Sequence, residues 1–172
     1  NDFIILEKHQ DLGGTWRDNT YPGCECDVPS ALYSYSFAQN ENWSKVFAGR
    51  EEILNYTEKT ARDFGIMPFL RFGINVQRIV WQEDQQHWLV HTEQGIYQAN
   101  KVISCVGYLH EPILPKLPGL ENFEGEVFHS SRWNHDLDLT GKRVAVIGTG
   151  ASAIQFIPEI QPKVKELVAF QR

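Results

Sequence analysis

Between Arg143 and Ile154 the chain leaves little choice of local structure. Arg143-Val-Ala-Val-Ile147 is a run of β-branched and small apolar residues too short for a helix, and it reads as a buried strand. Gly148-Thr149-Gly150 follows at once. Ala151, Ser152, Ala153, Ile154, Phe156 and Ile157 then give a small-residue start and an apolar face at helical spacing, with an end expected near Pro158 and Pro162. Lys165-Glu-Leu-Val-Ala-Phe170 supplies a second strand. This order suits a dinucleotide: Gly148 allows the tight turn, Gly150 lets a pyrophosphate approach the backbone, and Ala153 replaces a third glycine where helix and strand pack closely. Glycine pairs occur in many turns, so the strand before and the helix after are what give this one its meaning. Past the second strand stand Gln171 and Arg172 rather than an acid for a ribose 2′-hydroxyl. An arginine suits a 2′-phosphate, so the expected ligand is NADP(H).

The chain starts inside a strand at Asn1-Asp-Phe-Ile-Ile-Leu6 and stops as another finishes, so an internal piece of a longer protein is expected. A net charge of −6 gives no reason to expect nucleic acid or an anionic membrane as partner. No apolar run approaches the length of a membrane-spanning helix. Cys24, Cys26 and Cys105 make no disulfide framework, and their odd number favours a reducing, cytoplasmic setting.

Taken in order, Asp2 to Leu6 reads as a strand ending at Glu7, where an acid could bind the ribose 2′-hydroxyl of a first nucleotide or simply face solvent. Gly13 to Asp27 has no periodicity and is a loop, with Trp16 and Tyr21 needing something to pack on. Cys24-x-Cys26 has neither redox-pair nor zinc spacing, and no metal site is expected. Ala31 to Phe37 alternates as a strand would; Arg50 to Phe64 has helical spacing, with Glu51 and Glu52 in the first turn and Gly65 as a stop. Val76–Trp81, Trp88–Thr92 and Gly95–Gln98 read as an antiparallel meander, and Lys101–Val106 as a buried parallel strand ending at Gly107, where a close backbone approach or a chain reversal is expected. Pro112, Pro115, Pro118 and Gly119 mark a linker. His110 and His135 belong to no motif and are expected at the surface.

Gly13-Gly14-x-Trp16, then Tyr21-Pro22-Gly23, then Asp27 after three residues, resemble a long signature of the type I Baeyer–Villiger monooxygenases. Phe123-x-Gly125-x-x-x-His129-x-x-x-Trp133 resembles that family's shorter fingerprint, with Asn134 where Pro or Asp is common. The related flavin-containing monooxygenases, which oxygenate amines and sulfides, usually have Tyr or Phe at the place of Trp133. The resemblance implies an α/β fold with two Rossmann-like dinucleotide-binding domains, for FAD and NADP, and a small antiparallel meander, both domains incomplete here. Residues 1–107 would be the partial FAD domain, 108–140 the linker, and 141–172 the start of the NADP domain.

The same resemblance implies that Glu7 binds the FAD ribose, that Thr15 and Trp16 line the flavin, and that Tyr33 and the region of Val76 contact FAD. Cys26 and Asp27 would sit where flavin and nicotinamide meet, Gly148 to Ile154 would hold the NADP pyrophosphate, and Arg172 its 2′-phosphate. Asp27 would orient an arginine beyond residue 172, whose charge stabilises a flavin peroxide and its adduct, and His129 would order the linker rather than transfer protons. The implied reaction uses NADPH, FAD and O2 to convert a ketone into an ester or lactone. An amine- or sulfide-oxygenating enzyme is the nearest alternative. A dithiol reductase would need a C-x-x-C that is absent, and a non-catalytic FAD- and NADP-binding protein would lack the arginine that Asp27 holds.

Overall fold

The computed structural model describes residues 2–171, so Arg172 lies outside the described residues. In chain order the elements are β1 (Ile5–Leu6), α1 (Thr15–Asp18), α2 (Arg50–Asp63), β2 (Leu70–Arg71), β3 (Val76–Gln82), β4 (His87–Thr92), β5 (Gly95–Ala99), β6 (Arg143–Ile147), α3 (Ala151–Ile160) and β7 (Glu166–Phe170). They divide into two compact units, one of residues up to Gly13 with Thr57–Tyr108, the other of Gly14–Tyr56 with the residues from Leu109 onward. No helix among the described residues is long and apolar enough to cross a membrane.

In the first unit β1 pairs in parallel with β2, and the strand expected from Asp2 makes ladder pairs only at Ile5 and Leu6. Glu7 extends the contact by donating its N–H to the Arg71 carbonyl at 3.0 Å. The meander forms as expected, in the order β3-β4-β5. Trp81 faces Trp88 across the ladder with ring centroids 5.2 Å apart, a cross-strand aromatic pair of the kind that fixes register. The reversal before β4 uses Gln86 at φ 55° and the one before β5 uses Gly95 at φ 144°, so polar residues and glycine absorb the turns.

Lys101–Val106 corrects the expectation of a buried parallel strand: it is extended but unpaired, with Ile103 86% and Val106 69% exposed. A β-branched run becomes a strand only where another strand offers its hydrogen-bonding edge, and none of the described residues does so here. Gly107, at its end, takes a left-handed φ of 72°.

In the second unit β6 and β7 run parallel, in register from Arg143 opposite Glu166 to Ile147 opposite Phe170. Helix α3 connects them and turns Ala153, Phe156 and Ile160 inward, the spacing of one helical face, onto Val146. One detail differs from the sequence expectation: of β6 only Val146 is buried, while Ile147 is 57% exposed. The helix ends at Ile160, between Pro158 and Pro162 as expected, and carries Pro158 on its exposed face, where a proline forfeits one backbone bond without displacing the buried side.

Ala31–Phe37 is likewise not a strand. Ser30–Tyr33 form a single 3₁₀ turn, and Leu32 and Phe37 are 73% and 63% exposed. Ser30 explains the turn. It is 2% exposed, donates its N–H to the Val46 carbonyl at 2.7 Å, and its hydroxyl accepts the Ala48 N–H at 2.7 Å while facing the Lys45 and Val46 carbonyls at 2.9 and 2.8 Å. One buried hydroxyl thus ties 45–48 to the turn, and the alternating aromatics that follow have no partner strand among the described residues. Ser30→Ala would leave the N–H of the fully buried Ala48 without its acceptor, at a cost of about 1–3 kcal/mol. Denaturant unfolding of the protein measures this, and a loss under about 0.5 kcal/mol would mean that water replaces the hydroxyl.

Candidate functional site

The glycine turn after β6 has the form a dinucleotide needs. Gly148 sits at φ 109°, a left-handed conformation that side-chain-bearing residues avoid, and its N–H continues the β6–β7 ladder to the Phe170 carbonyl at 2.9 Å. Gly150 is extended, at φ −73°, so its value is room rather than conformation. A Cβ built at Gly148 or Gly150 meets nothing within 4 Å. No side chain caps α3 at Gly150, and the first N–H groups of a helix have no partner within it. The turn therefore offers donors and open space together, which fits a pyrophosphate. Thr149, Ala151 and Ile154 are exposed around it, Ser152 is half-buried, and Ala153 is buried against the core.

The loop Tyr21–Asp27 lies against the same helix. Gln155 of α3 accepts the Tyr21 hydroxyl proton at 2.8 Å on Oε1, which also faces the Glu25 N–H at 3.4 Å, and donates from Nε2 to the Glu25 carbonyl at 2.9 Å. Such neutral bonds contribute about 1 kcal/mol each. Burial pushes the Tyr21 phenol up to about 12, the adjacent Ser152 hydroxyl offsetting part of this, so the phenol remains a donor at any working pH. Gly23 follows at φ 73°, and a Cβ there would stand 2.8 Å from the Gln155 carbonyl oxygen and 2.8 Å from Glu159 Cγ. Gln155 was not among the expected site residues. Its one signal in the sequence is a carboxamide set between the apolar Ile154 and Phe156.

On the loop's other edge Cys24 to Cys26 is zipped to 48–50: the Cys26 N–H donates to the Ala48 carbonyl at 2.9 Å and the Arg50 N–H to the Cys24 carbonyl at 3.0 Å. Cys24 enters the cluster of Val146, Ala153 and Phe156, and Cys26, 1% exposed, the cluster of Ala48 and Ile53. The two thiols are free and serve separate cores, and burial raises the pKa of Cys24. Asp27 emerges exposed directly after this anchored segment.

The unit that holds this loop also contains Thr15, Trp16 and Tyr33. Trp16 and Tyr33 meet edge to face at 5.2 Å and both pack on the Cys26–Ala48–Ile53 cluster, while Arg50 Nε donates to the Trp16 carbonyl at 3.1 Å. Thr15 opens α1 and is exposed. Glu7 and Val76 belong to the other unit. There the Glu7 carboxylate accepts the His9 N–H at 2.9 Å, and Val76 is half-buried at the start of β3.

Residues 123–133 bond among themselves and pack on α3. His129 Nδ1 accepts the Ser131 N–H at 3.1 Å and its hydroxyl at 2.9 Å, capping the Ser130–Arg132 turn. Trp133 packs on Phe156 of α3 and on Phe128, each at 5.3 Å. Phe123 is 59% exposed, with its ring over Gly125, where a Cβ would come within 2.6 Å of it. His135 is exposed and shares a 2.7 Å hydrogen bond with the Thr20 hydroxyl; His110 is half-exposed, its carbonyl accepting from Arg132 Nη2 at 3.3 Å.

Residues 2–171 match the family model described as flavin-binding monooxygenase-like. A Baeyer–Villiger monooxygenase of Streptomyces coelicolor is 54% identical over 99% of this chain and 33% of its own length. Among solved structures, cyclohexanone monooxygenase with bound ε-caprolactone is similar with a TM-score of 0.88 and 37% identity, over 98% of this chain and 34% of that one. The enzyme OTEMO in complex with FAD and NADP is similar with a TM-score of 0.87 and 36% identity, over 98% and 34%. The chain thus spans about a third of the length of the relatives it matches.

Gly23→Ala is expected to undock the Tyr21–Glu25 loop from α3, since both the φ of 73° and the 2.8 Å approach to a backbone oxygen resist a methyl group. The expected destabilisation is about 1–3 kcal/mol in denaturant unfolding, and an unchanged midpoint would show that the loop moves aside freely.

Proposed function

Because the chain belongs to the flavin-binding monooxygenase-like family, we propose that the full-length protein is an FAD- and NADPH-dependent monooxygenase that inserts one oxygen atom of O2 into a ketone, giving an ester or lactone. The observation that carries this reading is the docking of the Tyr21–Asp27 loop on α3: the segment that resembles the Baeyer–Villiger signature is held by the helix that leaves the glycine turn. The open room at Gly148 and Gly150 fits a dinucleotide, and Trp16 and Tyr33 offer an aromatic wall that fits a planar ring. When bound, NADPH supplies hydride and FAD stores it and activates dioxygen.

This chain's residues bind, shield and orient. Residues 148–154 hold the pyrophosphate of NADP(H), with Arg172 on its 2′-phosphate, and Glu7 holds the FAD ribose. Thr15, Trp16 and Tyr33, with the region of Val76, line the flavin and exclude water from it. Cys26 anchors the backbone, and Asp27 beyond it orients a positive charge toward the oxyanion that develops as the ketone is attacked. Residues 1–107 serve as part of the FAD domain, 141–172 as the start of the NADP domain, and 108–140 as the linker between them. The odd number of cysteines supports a cytoplasmic setting.

The test offers the full-length protein a ketone and a thioether together with NADPH and labelled O2. Labelled ester or lactone is expected; labelled sulfoxide alone would move the protein to the amine- and sulfide-oxygenating branch. Asp27→Ala is expected to retain FAD and lose at least about a hundredfold in ester formation, and an unchanged rate would remove Asp27 from the mechanism. Arg172→Ala is expected to raise the KM for NADPH about tenfold and leave that for NADH unchanged, whereas equal effects on both would remove the 2′-phosphate assignment.

A further inference from the structure

We propose that Gln155, together with Tyr21, is a positioning device that lets the dinucleotide-binding helix set the place of Asp27, an inference that rests on the function proposed above and deepens it. The Gln155 carboxamide is used at both ends, Oε1 toward the Tyr21 hydroxyl and the Glu25 N–H, Nε2 toward the Glu25 carbonyl. It therefore grips the backbone of one residue, 130 positions away in sequence. That residue lies two before Asp27 and one before Cys26, which is 1% exposed and bonded to the Ala48 carbonyl. A second grip on Glu25 comes from Lys45 Nζ, 2.7 Å from its carboxylate. Between Glu25 and Asp27 there is no slack to absorb a displacement.

At its other end, Gln155 follows directly on Gly150–Ile154, the first turn of α3, where the pyrophosphate is placed. A shift or rotation of α3 on filling of that turn reaches the Glu25 backbone through one side chain whose amide is bonded at both ends. Glutamate cannot supply the Nε2 donor, and asparagine is one methylene short. Gln155 needs no contact with substrate or flavin for this, so it acts through Asp27. With the grip lost, hydride transfer still requires only the two cofactors in register. The oxygen half of the reaction requires Asp27 and the charge it orients, and that half is left unguarded.

The experiment compares the full-length FAD-loaded protein with Q155A, Y21F and Y21F/Q155A. It reads FAD content, anaerobic bleaching of the flavin by NADPH, and aerobic NADPH consumption without ketone, in which NADPH, a proton and O2 yield NADP+ and H2O2. Q155A is expected to bleach within about twofold of wild type yet consume NADPH without ketone about tenfold faster. Y21F should show a smaller rise, and the double variant should equal Q155A, because both residues act through one contact. Wild-type consumption in Q155A overturns the proposal, as does a parallel fall in bleaching, which would make Gln155 part of the dinucleotide site itself. If Q155A fails to hold FAD, Y21F carries the test, and unchanged consumption there overturns it equally. No ketone enters this readout, so a protein that oxygenates none would overturn the proposed function while leaving the role of Gln155 measurable.

Discussion

Three residues of extended chain, Cys24 to Cys26, are the element on which the unit containing the glycine turn depends. The two cysteine side chains enter separate clusters, Cys24 with Val146, Ala153, Phe156 and Ile160, Cys26 with Ala48 and Ile53. Their backbone groups are claimed on one edge by 48–50 and on the other by Gln155. Buried backbone donors and acceptors must be paired, and here two distant segments do the pairing. The strand-like segment is thereby the seam between two small cores. The two thiols are free and each is packed in its own cluster.

A seam of this kind transmits position. Loops usually vary because their backbone is solvated and their side chains pack loosely. The chain from Cys24 to Cys26 has neither property, and Asp27 is the first residue beyond it to face solvent. An exposed carboxylate on a rigid stem is the arrangement that electrostatic orientation of another group demands, because a mobile acid would gain nothing over water.

How much of this could be read from the sequence depended on whether the cause was local. The β6–α3–β7 unit and the meander announced themselves because periodicity and turn residues act over a few positions. The alternation from Ala31 to Phe37 misled because Ser30 had already committed the chain to a 3₁₀ turn through bonds to residues 45–48, which no local pattern displays. Lys101 to Val106 misled for a related reason, since strand propensity is a preference for a pleated, paired surface rather than a backbone state. In the site, the glycine turn was legible in full, while Gly23 could be recognised only as part of a resemblance. What makes it a glycine is the carbonyl of Gln155, on the far side of the chain.

Helix α3 finally explains why two spaced motifs and a glycine turn belong together. Phe156 meets the ring of Tyr21 edge to face at 6.1 Å and that of Trp133 at 5.3 Å, while its neighbour Gln155 bonds Tyr21 and Glu25. Aromatic contacts of this type contribute about 0.5–1.5 kcal/mol beyond burial but tolerate sliding, so they can bring surfaces together without fixing register. The carboxamide supplies the register, because its donor and acceptor fit the backbone of one residue only. Apolar area and polar direction are divided between consecutive residues of the helix that begins at the glycine turn. The first motif reaches α3 through Tyr21 and Glu25 and the second through Trp133, so both meet on one helix.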